Sequence, residues 1–321
     1  MVVVVGPNTA LDHVVFIRHL ASGTVRTTND YWTVGGGGAN VARILRNLGV
    51  KVDLIGLVGG SVGQMVEDMV AREGGAMEGV TVSGSTRVDT AIVERATGRT
   101  TLLVSAGPPV KTSEWKALDH RVREALATRP DALVLTGSLP PHVPSEAYLT
   151  WVMAAREAGV QVAVDASGVP LRLALEGVPE VLKVTSNEFE EAFDIPPDDG
   201  GAGIPARAAE LLRSGVREVV VTRGAEGAMA FTPEGSYVAR ALTIEHVLTT
   251  VGCGDAFMAG LLARYLQGAT VPSQLRLATA AAALSLLRPG AELPENADPL
   301  RIEGDVVVER LDAGVLNGVE G

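Results

Sequence analysis

Ala132-Leu133-Val134-Leu135-Thr136-Gly137-Ser138 decides the fold: a short apolar run closed by a glycine, with no alternation of polar and apolar positions. Such a run reads as a strand buried on both faces. A helical pattern precedes it at 113–127 and another follows at 145–158. Beyond these come a strand at 161–165, a helix at 169–175, a strand at 181–185, helices at 187–193 and 205–214, and a strand at 217–222. Regular strand–helix alternation predicts an α/β fold, a mostly parallel sheet covered on both faces through right-handed crossovers.

The same pattern extends outward. Val2–Val5 is a strand ending at Gly6-Pro7-Asn8, and Val52–Leu57 is another. Gly35-Gly36-Gly37-Gly38 leads into a helix at 40–48 with Val41, Ile44, Leu45 and Leu48 on one face. A helix at 62–72, a hairpin over 228–239 and helices at 252–267 and 273–287 complete the expected core. Two β-rich excursions, 13–34 and 86–104, carry no helical period and are expected to pair as a small second sheet, with Thr97-Gly98 as a hairpin turn. One domain is expected over 1–300. The polar 194–204 segment reads as a surface loop, and the tail 301–321 carries one strand-like piece, Val306–Val308, with no role assigned.

Composition limits the chemistry. Of the 321 residues 46% are hydrophobic but only 4% aromatic, so the core is built from Val, Leu, Ile and Ala. A net charge of −11 without a basic run argues against nucleic acid and anionic membranes as partners. No window of about 18 apolar residues is free of charge, and the start reads as a first strand, not a signal peptide. The single cysteine fits a reducing, cytoplasmic setting, and the five scattered histidines give no zinc spacing. None of the four lysines follows a glycine, which excludes a Walker A loop. Asn40 stands where a dinucleotide fingerprint has its third glycine.

The chemistry concentrates in Thr250-Val251-Gly252-Cys253-Gly254-Asp255-Ala256-Phe257, where two glycines open a long apolar helix. First-turn amides have no partner within a helix and carry partial positive charge, so an anion can settle on them. Asp255 would stand beside it, able to take a proton from an attacking hydroxyl. An ordinary helix start explains the same residues, because an aspartate is favourable there by itself. Cys253 reads either as a thiol drawn toward thiolate or as a small filler. Asn8 to Asp12, Gly35 to Asn40, Thr136 to Pro141, Asp165 to Gly168 and Asn187 to Glu190 also follow strands, where open α/β sheets bind ligands. Asn187 and Glu190 fit an N-cap pair equally well.

Together these stretches resemble the ribokinase-like sugar kinases, in the phosphofructokinase-B branch with 1-phosphofructokinase and tagatose-6-phosphate kinase. Gly35 to Arg43 looks like that family's first signature and Thr250 to Asp255 like its second. Gly137-Ser138-Leu139-Pro140, Asn187-x-x-Glu190 and Thr222-Arg223-Gly224-Ala225-Glu226-Gly227 match its other landmarks. The resemblance implies an α/β/α sandwich with a small β lid, which in many members also forms a homodimer. It implies ATP and Mg2+, with transfer to a primary hydroxyl of fructose 1-phosphate, fructose 6-phosphate or tagatose 6-phosphate. By the same resemblance Asp255 is the base and the amides of Gly252, Cys253 and Gly254 hold the transferring group. Asp12, Gly36, Gly37, Asn40, Ser138, Arg87 and Arg26 would contact the sugar phosphate. Asn187, Thr222, Arg223, Gly224 and Gly227 would line the nucleotide site, with Glu190 and Asn187 holding Mg2+ through water.

The chain departs from the pattern in three places. Thr185-Ser186 stands where the family often has Lys-Pro before the asparagine, so a lysine facing the ATP phosphates is missing and Lys183 lies two residues earlier. Gly37 replaces the lysine common in 1-phosphofructokinases and tagatose-6-phosphate kinases. Thr24 stands near the lysine of the fructose-6-phosphate kinases. The sugar stays open, as do two alternatives: a kinase for an unphosphorylated sugar or a nucleoside, and a non-catalytic sugar- or nucleotide-binding regulator.

Overall fold

The computed structural model describes residues 1–196 and 203–311. In chain order the elements are β1 (Val2–Gly6), β2 (Ala10–Ile17), β3 (Thr27–Gly35), α1 (Gly37–Asn47), β4 (Val52–Val58), α2 (Gly60–Arg72), β5 (Met77–Thr81), β6 (Arg87–Glu94) and β7 (Thr100–Leu103). Next are α3 (Thr112–Ala127), β8 (Ala132–Thr136), α4 (Ala147–Glu157), β9 (Gln161–Asp165), α5 (Gly168–Glu176), β10 (Val181–Thr185), α6 (Ser186–Ala192), α7 (Gly203–Ser214) and β11 (Glu218–Thr222). The chain closes with β12 (Ala228–Thr232), β13 (Gly235–Ala239), α8 (Cys253–Tyr265), α9 (Val271–Ser285), α10 (Pro299–Ile302) and β14 (Val308–Leu311).

Ten strands form the large sheet in the order β14-β13-β12-β11-β10-β9-β8-β1-β4-β5. Pairing is parallel from β11 through to β5, and antiparallel where β12, β13 and β14 extend the edge. The four valines of β1 are fully buried, as a strand covered on both faces requires. Leu133, Leu135, Val162 and Val164 face one apolar layer with Tyr148, Trp151 and Leu171. Val2, Val4 and Val134 face the other, with Ile44, Leu45, Met258 and Leu261. Residues two apart in a strand thus feed opposite layers from their neighbours, which is the α/β/α sandwich that the alternation predicts.

The second sheet, in the order β3-β2-β6-β7, is built from the two β-rich excursions. Its small core is Val14, Phe16, Ala91 and Val93. Three placements differ from the linear reading. Met77–Thr81 joins the edge of the large sheet beside β4. The hairpin over 228–239 continues the large sheet from β11. The strand-like piece of the tail lies at Val308–Leu311 and pairs with β13. Part of the expected 194–204 loop and the end of the 301–321 tail lie outside the described residues. Among the described residues no helix is long and apolar enough to cross a membrane.

Candidate active site

The carboxyl ends of β1, β8, β9, β10 and β11 point to one rim of the large sheet, and α1 and α8 start there. Two backbones meet closely at this rim: a Cβ on Gly38 would lie 2.6 Å from the Cα of Gly6, so α1 can begin against β1 only with glycine at both positions. Gly252 caps α8 at φ 79, a left-handed conformation that glycine adopts without strain. The turn aims the first amides of a thirteen-residue helix, buried from Ala256 onward, at the rim. The N–H of Cys253 makes only a long 3.4 Å bond to the Thr250 carbonyl.

A cavity of about 240 Å³ opens between this rim and the small sheet, lined among others by Asp12, Gly36, Gly37, Asn40, Arg87, Ser138, Gly252 and Asp255. The Nδ2 of Asn40 donates to Asp255 Oδ2 at 2.8 Å, and the Nη1 of Arg43 donates to Asn40 Oδ1 at 3.1 Å. Arg43 also donates to the carbonyls of Gly290 and Val34 and pairs with Glu73, so three segments of chain fix the amide that holds Asp255. Burial pushes the Asp255 carboxyl up, the Asn40 bond and Lys183 oppose, and Glu188 adds to the rise. Burial and Asp89 push Asp12 up to about 7 against Arg87 and Arg43. Its carboxylate packs on Gly35, where a Cβ would lie 2.1 Å from its oxygen.

Arg87 is already engaged: it donates to the Asn8 carbonyl at 3.1 Å and the Ser105 carbonyl at 2.9 Å, and pairs with Asp89 at 2.9 Å. Ser138 accepts from Asn8 Nδ2 at 2.9 Å. Arg26, by contrast, is exposed on the link between β2 and β3 and does not line the cavity. That link is outside the strand pairing that pins Arg87 over the rim. A side chain at 37 would crowd Thr136, whose Oγ1 lies 2.7 Å from where a Cβ would stand.

Asn187, Glu190, Thr222, Arg223, Gly224 and Gly227 are outside this cavity, at the neighbouring ends of β10 and β11. Thr185 and Thr222 are partners in the β10–β11 register, which puts the two segments side by side. Arg223 pairs with Glu226 across a single 3-10 turn. The expected N-cap pair of Asn187 and Glu190 is not the one formed. Thr185 caps α6 and Glu188 closes the capping box, because the strand ends two residues before Asn187. Among the described residues no cluster of three His, Cys, Asp or Glu could hold a metal by itself. Asn187 and Glu190 lie one turn apart on α6, neither of them buried, and fit an ion that keeps most of its water and rests mainly on substrate phosphates.

Of the two readings of Cys253, its surroundings favour the small filler over the thiolate. Burial raises the thiol and Asp255 adds to it, which outweighs Lys183 and the helix-start amides. Sequence reasoning gave no role to four groups at the site: Asn8, Arg43, Glu188 and the buried ammonium of Lys183. For Lys183 a signal existed, since residues two apart on a strand share a face and 183 lies on that of 185.

Residues 2–298 match the family described as pfkB family carbohydrate kinase. A 1-phosphofructokinase of Haloferax volcanii is 33% identical over 96% of this chain and 98% of its own. The ATP-dependent 6-phosphofructokinase isozyme 2 of Escherichia coli is 28% identical over 87% of this chain and 90% of its own. The crystal structure of Escherichia coli phosphofructokinase-2 in complex with fructose-6-phosphate superposes with a TM-score of 0.85 at 25% identity, covering 95% of this chain and 98% of that one.

Proposed function

The chain belongs to the pfkB family of carbohydrate kinases, and from that membership we propose that it phosphorylates a ketohexose phosphate, fructose 1-phosphate first, at a primary hydroxyl. The coarser activity, ATP-dependent phosphorylation of a sugar phosphate, follows from the family and its phosphofructokinase relatives. One observation carries the finer reading: Asp255, held by Asn40 at the start of α8, shares one cavity with Asp12 and Arg87.

In this reading Asp12 accepts hydrogen bonds from the sugar hydroxyls, and Arg87 at the cavity edge meets the phosphate already on the sugar. The acceptor oxygen loses its proton to Asp255 Oδ1 or Oδ2 and forms the new bond to the γ-phosphorus. The bond from that phosphorus to the β–γ bridging oxygen breaks, and its electrons leave with ADP. The amides of Gly252, Cys253 and Gly254 face the charge on the transferring group. Asn40 belongs to the base in this scheme, since Asp255 and Arg43 both engage its amide. Thr222 to Gly227 border the nucleotide, and Asn187 and Glu190 would hold Mg2+ through water. That ion would neutralise charge on the β- and γ-phosphates.

The exposed apolar side chains of the small sheet, Trp32, Leu102, Leu103 and Val104 among them, fit a second copy of this chain as their cover, giving a homodimer. Steady-state rates over fructose 1-phosphate, fructose 6-phosphate, tagatose 6-phosphate, free fructose and a nucleoside test the substrate reading. A ketose phosphate should give the highest kcat/KM. Preference for the free sugar or the nucleoside would reject it.

A further inference from the structure

The rim is strongly acidic. Asp12, Asp89, Asp165, Asp255 and Glu188 all lie at or near it, yet a nucleoside triphosphate brings further negative charge. Arg43 is committed to Glu73 and Asn40, and Arg87 to Asp89. A further cation lies beneath the helix start. Lys183, on β10, has a side chain only 3% exposed, and its Nζ lies 2.8 Å from Asp165 Oδ2. The same Nζ would be 3.0 Å from a Cβ on Gly254, so it lies directly against the first turn of α8. Burial favours the neutral amine, but Asp165, then Asp255 and Glu188, push the ammonium the other way.

We infer that Lys183 supplies the positive charge under the phosphoryl-binding amides, two residues deeper on β10 than the rim position held by Thr185. The inference rests on the kinase reading. It accounts for an ammonium buried against Gly254, where an apolar side chain would fill the space without the cost of burying a charge. Placed behind Gly254, the charge acts through the field instead of by contact. It favours the phosphoryl oxygens in the transition state and keeps Asp255 ionised between Glu188 on one side and Arg43 and Asn40 on the other. Asp165 has the separate task of keeping the ammonium in place.

Four variants test this: Lys183→Met, Asp165→Asn, the neutral double Lys183→Met/Asp165→Asn, and that double carrying Thr185→Lys as well. Both Lys183→Met and the neutral double should lose roughly 10²–10³-fold in kcat, as on removing a group that stabilises transition-state charge. Asp165→Asn should lose less, since Asp255 and Glu188 still hold the ammonium charged. The acid limb of kcat/KM should move to higher pH without the lysine, since Asp255 then holds its proton more tightly. Thr185→Lys should recover turnover of the neutral double by at least roughly tenfold. A folded neutral double turning over at the wild-type rate overturns the inference, as do equal losses in Asp165→Asn and Lys183→Met. The wild-type rate measured alongside keeps the two readings apart. A silent wild type sinks the kinase reading and this inference with it, whereas an active wild type matched by the neutral double sinks only the inference.

Discussion

The floor of the cavity and the small sheet, read as its lid, are built on opposite principles. In the floor, Asp255, Asn40 and Arg43 are bonded to one another or to fixed backbone, and Lys183 to Asp165. In the lid, Tyr31 and Trp32 are each 44% exposed and Leu103 57%, and the sheet's own core is four residues. A preformed floor suits a step that rewards fixed charges, because no reorganisation is needed when charge develops. A thinly packed lid suits recognition, where ordering on substrate or partner binding selects the right one.

The largest effect should come from the floor. Asp255→Asn keeps the size of the base but cannot accept the proton, so kcat should fall ~10²–10⁴-fold while ATP binding by calorimetry changes little. A variant that turned over like the parent would place the base elsewhere. At the lid the loss should be smaller and confined to the acceptor. Arg87→Ala should lower kcat/KM for the sugar phosphate by ~10–150-fold and leave the ATP KM in place. An equal loss with free fructose would show that Arg87 only braces Asn8 and Ser105.

How much of this contrast the sequence carried depends on the kind of signal. The large sheet was readable because buried parallel strands such as 132–136 and 161–165 are short apolar runs set between helical periods. The pairing of β2 with β6 was readable only as two leftover β-rich segments. The continuation of the sheet through β12, β13 and β14 was not, since nothing local distinguishes a free hairpin from one docked on an edge. Among site residues, glycine-rich turns pointed to Asp255 and Asn40. Lys183 shares a strand face with 185 and Arg43 ends the glycine-rich signature, but only the fold shows what the two side chains face. The cap at α6 was placed two residues late, on Asn187 and Glu190 instead of Thr185 and Glu188, because nothing local marks where β10 ends.

A third effect is smaller and concerns stability. Burial holds the Asp12 carboxyl at about 7, against 3.8 for an ordinary aspartate. Between those values the folded protein keeps a proton that the unfolded chain releases, so the contribution of Asp12 to stability falls as pH rises and is least favourable above about 7. Without ligands, Asp12→Asn should therefore melt above the wild type at about pH 8, with the gap closing toward about pH 4. A gap that ignored pH would remove the carboxyl from the cause. The smallest effect belongs to Cys253, whose raised thiol predicts slow alkylation at neutral pH and a Cys253→Ala variant within a few-fold of wild-type turnover. Rapid labelling, or loss of activity in the alanine variant, would give the sulfur a role that its environment argues against.

The most direct test of the central claim is a phosphorus NMR time course of the wild-type protein with Mg2+, ATP and fructose 1-phosphate. The account predicts that the γ-phosphate signal disappears as ADP and a ketose bisphosphate appear in equal amounts, one new phosphate ester per ATP consumed. ATP that stays intact with every ketose phosphate, or that yields only inorganic phosphate, would contradict it.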